Sequence, residues 1–170
     1  VIPGWVNRQA RTVWAPNIAG WDHLPLGERL AEKVPIPTFL DSDRNGYVMG
    51  ESWQGVARGL TDVVFLAVGT GIGAGIISGG RIIHGFDDLA GSVGWLALNP
   101  HYGDIYARMG CFEAEASAKS VGRKGSTEFA ECCGPTGSEQ LWTAREVIQA
   151  AAAGEPRASK LIDEVVVYLG

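Results

Sequence analysis

Two carboxylates and a run of alternating glycines occur along the chain in an order that would serve phosphoryl chemistry. Asp43 follows the apolar segment Pro35-Ile36-Pro37-Thr38-Phe39-Leu40 and opens a helical pattern. Gly69-Thr70-Gly71-Ile72-Gly73 ends the uncharged run that starts at Val63. Glycines on alternate positions permit a turn with positive φ and let a ligand approach the backbone, whose N–H groups suit an anion such as phosphate. Glu113 comes last, at the helix start Gly110-Cys111-Phe112-Glu113. Each has a plainer reading: a helix N-cap for Asp43, a glycine-rich hairpin for the loop, and a glutamate favoured by the helix dipole for Glu113.

The segment after the glycine loop narrows the choice. A dinucleotide-binding fingerprint must open a helix. Here Gly75-Ile76-Ile77-Ser78 leads through Gly79-Gly80 into Arg81-Ile82-Ile83, which reads as a strand, a tight turn and a second strand.

The elements that must position these groups can be placed coarsely. Residues 1 to 34 are rich in proline, tryptophan and glycine, so loops are expected there, with a short helix over Leu26–Lys33 that turns Leu30 inward. Pro35–Leu40 reads as a brief strand. A helix from the Asp41-Ser42-Asp43-Arg44-Asn45 cluster to about Arg58, closed by Gly59, carries Tyr47, Val48, Trp53 and Val56. His84 to Trp95 is loop-like, and His84 and His101 read as loop residues. Cys111–Val121 is expected as one helix. A polar segment around Gly134-Pro135-Thr136-Gly137 precedes two more, near Thr143–Ala153 and Pro156–Leu169.

Composition excludes several function classes. At 170 residues and 46% hydrophobic, the chain can bury one good core or pieces of two. A net charge of -5 argues against nucleic acid or an anionic membrane as a partner of this segment. No apolar run approaches the roughly 20 residues of a membrane helix, and the start lacks a secretory pattern. Three cysteines, two of them adjacent, fit reduced thiols in a cytoplasmic protein. The absence of an initiator Met and the amphipathic stretch ending at Gly170 read as an internal fragment of a longer chain.

Taken together, the motifs resemble the ROK family of bacterial sugar kinases and sugar-responsive repressors. Ala15-Pro16-Asn17-Ile18-Ala19-Gly20-Trp21 is similar to that family's A-P-N-x-x-G-W. Ser42-Asp43-Arg44-Asn45 through Gly50-Glu51 resembles N-D-A-N-x-A-A-x-G-E, and Val68 to Gly75 resembles L-G-T-G-I-G-G-G. The resemblance implies an α/β fold of the actin-like ATPase (ribonuclease H-like) type. Residues 1–60 would be the C-terminal part of a smaller N-terminal domain, 61–170 the first part of a larger one, with the sugar in a cleft near Asp43. It implies ATP-dependent phosphorylation of a hexose or related sugar hydroxyl. Asp43 would be the catalytic base, and Ser42, Asp43, Asn45 and Glu113 would contact the sugar. Gly69, Thr70, Gly71 and Gly73 would hold the ATP phosphates, while Glu51 has an equal structural reading. Mg²⁺ is expected from the chemistry alone. Sugar and ATP are the implied partners, and family members commonly form homodimers. A non-catalytic sugar sensor, either a repressor or a degenerate kinase, is the rival.

The chain departs from the family pattern in three places. Where the family has A-G-E-x-G-H, this chain has Ala90-Gly91-Ser92-Val93-Gly94-Trp95, so both sugar-contacting side chains are replaced. Trp95 is expected to pack, with an aromatic face for a sugar ring as the alternative. The zinc pattern C-x-C-G-x-x-G-C-x-E meets Asp104-Ile105-Tyr106-Ala107-Arg108-Met109-Gly110-Cys111-Phe112-Glu113, so no zinc is expected, and a site rebuilt from His101, Cys111, Cys132 and Cys133 is disfavoured. Two ATP-site segments of the family, an initial D-x-G-G-T turn and a later glycine-rich stretch, do not occur in residues 1–170.

Overall fold

The structure is a computed structural model that describes residues 1–15, 17–130 and 141–170. Pro16, Cys132, Cys133 and the Gly134–Gly137 segment lie outside the described residues. The chain forms two compact units, one of Val1–Ala67 with Gly73–Ser92 and one of Val68–Ile72 with Val93–Gly170.

The first unit begins with a hairpin that the sequence concealed. Strands β1 (Trp5–Asn7) and β2 (Thr12–Trp14) pair antiparallel, with Val6 opposite Val13. Strands of three residues are too short to display the alternation that marks a strand. Ile2, Val6 and Val13 form a small core, covered by Trp21, Leu24, Leu26 and Leu40. Helix α1 (Leu26–Ala31) comes next, where expected, but its buried residue is Gly27 and Leu30 stays half-buried.

Pro35–Leu40 is not a strand. Pro35 and Pro37 lack the N–H groups that a ladder needs. Extended pairing comes later, in a parallel bridge between Ile2 and Ser42. The Ile2 N–H donates to the Asp41 carbonyl at 3.0 Å, and the Asp43 N–H donates to the Ile2 carbonyl at 2.8 Å. Helix α2 (Asp43–Gln54) starts there and ends at Gly55, short of the expected Arg58. The Glu51 carboxylate accepts the Val56 N–H at 3.0 Å and helps to end it. Val48 is buried on its inner face, whereas Trp53 and Val56 are exposed.

Strands β3 (Val63–Val68), β4 (Ile72–Ser78) and β5 (Arg81–Ile82) form a sheet in that order. The Gly79-Gly80 turn is the expected one: φ values of 55° and 74° give the left-handed pair that a two-residue hairpin requires. Asp62 secures the turn, its Oδ1 accepting the Ser78 hydroxyl at 2.8 Å and the Gly79 N–H at 3.0 Å. Helix α2 lies against β4 so closely that a Cβ on Gly75 would collide with the Arg44 carbonyl. On Gly91, a Cβ would collide with the Ala74 carbonyl.

The second unit is helical: α3 (Tyr106–Met109), α4 (Cys111–Ala116), α5 (Ala118–Glu128), α6 (Ala144–Ala152) and α7 (Pro156–Leu169). Phe112, Val121, Phe129, Val147, Ala158, Leu161 and Val165 build its core with Ile72. The single helix expected over Cys111–Val121 is broken at Ser117. This residue takes extended dihedrals and caps α5, its Oγ accepting the Ser120 N–H at 3.2 Å. Serine prefers that role to a helix interior. Thr143 and Glu146 form a capping box for α6, and Pro156 opens α7. Among the described residues, no helix is long and apolar enough to cross a membrane.

The close approaches set a test. Gly75→Ala should destabilise the full-length protein by about 1–3 kcal/mol, because the obstacle is backbone that cannot step aside. Gly91→Ala should cost at least as much, since φ is also +81° there. Thermal melts measure both; an unchanged Tm for Gly75→Ala would show that the helix can withdraw from the strand.

Candidate functional site

In the first unit, Ser42, Asp43 and Asn45 share the first turn of α2. The backbone bridge to Ile2 fixes where that turn begins. The N-cap is Ser42, without a side-chain cap bond, so Asp43 is not the cap. The Asp43 Oδ1 accepts the Arg44 N–H at 2.9 Å, and the Tyr47 hydroxyl lies 3.4 Å from Oδ2. Its carboxylate is therefore aimed and partly exposed. Asn45 is buried and donates to Asp41 Oδ1 at 2.7 Å.

Sequence reasoning missed Asp41 as the organiser of this turn. Its carboxylate also accepts the Ser42 N–H at 2.8 Å and pairs with His84 Nε2 at 3.1 Å. Burial alone would raise the Asp41 pKa, but bonds from Asn45, His84 and Ser42, with the histidine's charge, hold it below the usual value. His84 is thus more than a loop residue. A polar cluster of aspartates, asparagine and a later histidine was the available signal, but the pairing spans 43 positions and has no local spacing rule. Arg44 was also passed over. Its Nε donates to Ser42 Oγ at 3.1 Å and its Nη1 to Ser92 Oγ at 3.3 Å.

The glycine loop departs from its expected conformation. Gly69, Gly71 and Gly73 are all outside the left-handed region. At Gly71 a Cβ would stand 2.6 Å from the Glu113 carboxylate, and at Gly73 it would run into the Arg44 side chain. Gly73 lies in β4 with the first unit, whereas Gly69, Thr70 and Gly71 belong to the second. Close approach, not backbone handedness, accounts for two of these glycines. Gly69 differs: a Cβ there would meet nothing within 4 Å, and both it and Thr70 are exposed.

Glu113, in the first turn of α4, accepts the Ile72 N–H on Oε2 at 2.9 Å. The same unit ties Gly69 down, its carbonyl accepting the Ala118 N–H at 2.8 Å. Trp95 is 57% exposed, so it does not fill a buried space as expected.

Tyr106 and Cys111, from the segment aligned with the zinc pattern, take part in a hydrogen-bond network. The Tyr106 hydroxyl donates to Glu115, whose other oxygen accepts Lys124 Nζ at 2.6 Å. Asn99 Nδ2 lies 3.0 Å from the Tyr106 hydroxyl and 3.3 Å from that of Tyr168, and the Asn99 N–H points at Cys111 Sγ at 3.3 Å. Burial and Glu115 together push the Tyr106 pKa well above the usual phenol value. His101 is exposed and Cys111 is buried; the other two candidate ligands, Cys132 and Cys133, lie outside the described residues.

The sequence pattern of the ROK family matches residues 1–170. The chain belongs to the ROK family. It is 31% identical to a glucokinase of Halalkalibacterium halodurans, over 99% of this chain and 53% of that one. A xylose repressor of Caldicellulosiruptor bescii is 32% identical over 71% of this chain and 30% of its own length. The structure superposes on a ROK family glucokinase from Streptomyces griseus, solved with glucose and AMPPNP, with a TM-score of 0.77 and 28% identity. That match covers 97% of this chain and 56% of the other. The chain thus spans about half the length of the two glucokinases it matches, and its fold is the corresponding part of the actin-like ATPase fold of ROK sugar kinases.

The Tyr106–Glu115 network of this ROK chain yields a pH test. Burial would raise the Glu115 pKa, yet bonds from Lys124, Tyr106 and Asn99 hold it below 4.5. A carboxylate with a depressed folded pKa stabilises fully above its unfolded value and stops doing so as pH falls through the folded one. Glu115→Gln should therefore lower Tm by about 2–4 °C at pH 7, with the difference closing below about pH 4. A gap that persists into acid would place the effect in packing instead.

Proposed function

We propose that the full-length protein is an ATP-dependent sugar kinase with Asp43 as general base. The observation that carries this reading is the state of that carboxylate. It begins a helix without capping it, it is held in direction by the Arg44 N–H and Tyr47, and among the described residues it has no cation within ion-pair distance. Such a group is free to accept the proton of a sugar hydroxyl. Ser42 and Asn45 would position the sugar beside it, with Glu113 as a further contact. The domain boundary near residue 60 is proposed with this reading, for the parent chain.

Gly69, Thr70 and Gly71 would hold the phosphates of ATP, with Gly73 contributing its backbone. The open space over Gly69 and the exposed Thr70 hydroxyl fit that role. Bound ATP would supply the transferred phosphoryl group, with Mg²⁺ on its phosphates. The chain's own part would be to orient the sugar and remove its proton, in a class of reaction that gains most of its rate from positioning and electrostatic stabilisation.

A second reading, a sugar sensor without catalysis, is favoured by Ser92 and Trp95 in place of the family's Glu and His and by similarity to a repressor. Asp43→Asn discriminates. In a kinase it should lower kcat by roughly 10³-fold with sugar affinity within about threefold; unchanged turnover would remove Asp43 from the role of base. Gly69→Val should raise the KM for ATP roughly tenfold with no loss of Tm, because the new side chain meets only a ligand.

A further inference from the structure

The least explained group in the first unit is the guanidinium of Arg44. It is half-buried, yet its side-chain partners are the neutral hydroxyls of Ser42 and Ser92. Among the described residues no carboxylate lies within 4.0 Å of it. Two of the five guanidinium N–H groups are used by those hydroxyls, which leaves donors in the planar fork that matches an oxyanion. Its side-chain hydrogen bonds go to neutral oxygens, so compensation for its burial comes from carboxylates that lie beyond ion-pair distance. Burial accordingly presses its pKa down, opposed by Asp43 and Asp41. The charge of Asp41 is itself engaged by His84.

Arg44 stands where the family pattern has Ala, and Ser92, its hydrogen-bond partner 48 positions away, stands where the pattern has Glu. Each departure moves the local charge toward positive. A glutamate at 92 could form an ion pair with Arg44, whereas the serine offers it a neutral hydroxyl. The aliphatic stem of Arg44 lies over Gly73, whose missing side chain makes room for it. The fork is thereby held beside Asp43 by packing as well as by hydrogen bonds.

We propose that Arg44, flanked by the Ser42 and Ser92 hydroxyls, binds an oxyanion on the substrate, and that the sugar phosphorylated by this protein carries a carboxylate. This deepens the kinase reading and rests on it. The same fork could in chemical terms receive an oxygen of the transferring phosphoryl group, so the experiment separates the two sources.

In the full-length protein, kcat and KM are measured for glucose, glucuronate and gluconate, with wild type, Arg44→Met and Arg44→Lys. Circular dichroism and thermal melts confirm that each variant is folded. The expected result is a preference of wild type for an acid sugar over glucose. Arg44→Met should then lose roughly 10–100-fold in kcat/KM on the acid while changing little on glucose, and Arg44→Lys should keep part of the preference. A preference for glucose, with Arg44→Met lowering kcat on every sugar, would assign the fork to the phosphoryl group and overturn the proposal. Equal behaviour of wild type and Arg44→Met on all three would make Arg44 structural and overturn it too. If wild type phosphorylates no sugar, the kinase reading fails separately. Calorimetric binding of gluconate or glucuronate that Arg44→Met abolishes would then still uphold the anion site, and absence of binding would end it.

Discussion

The near-contact of helix α2 with strand β4 is the constraint on which the first unit depends. Backbone meets backbone where Gly75 faces the Arg44 carbonyl, and only a missing side chain permits it. That distance fixes the height of the first helical turn, while the bridge from Ile2 to Asp41 and Asp43 fixes its starting point. Ser42, Asp43, Arg44 and Asn45 are thus placed by main-chain geometry before any side chain contributes. Gly91 repeats the device beside β4, its carbonyl accepting the Ala74 N–H at 2.7 Å, next to Ser92 and its bond from Arg44.

Elements signalled locally were legible in the sequence. Thr143 with Glu146, Pro156 and the Gly79-Gly80 pair each encode their structure within four residues, and each element forms where its signal stands. Elements defined by distant partners were not. The β1–β2 hairpin is too short for periodicity, and the Pro35–Leu40 strand fails because hydropathy counts apolar side chains while pairing needs N–H groups. The Cys111–Val121 segment reads as one helix until Ser117 is seen to be buried and capping the next.

The site was legible in the same uneven way. Asp43 and the glycine run could be found as motifs, but the reasons for the glycines could not. Their positive φ was the natural inference, whereas Gly71 and Gly73 are small because Glu113 and Arg44 fill the space above them. Asp41 and His84 had no motif to expose them, since their pairing exists only after the chain has folded. A resemblance transfers positions, and contacts between positions must still be built.

The two places where the chain abandons its family's pattern illustrate different physics. In the second unit, Tyr106, Asn99, Tyr168 and Lys124 form a network of hydrogen bonds around the Glu115 carboxylate. Such a network can hold α3 and α4 in register, but it disappears piecemeal with pH, where a metal site would respond to chelation. In the first unit the exchange is not like for like. With Ser92 where the family pattern has Glu, the side-chain hydrogen bonds of Arg44 go to hydroxyls, and its charge is balanced only by carboxylates beyond ion-pair distance. An arginine whose side chain packs over Gly73 next to the candidate base, with hydroxyls as its hydrogen-bond partners, is the feature that the proposed anion site would explain.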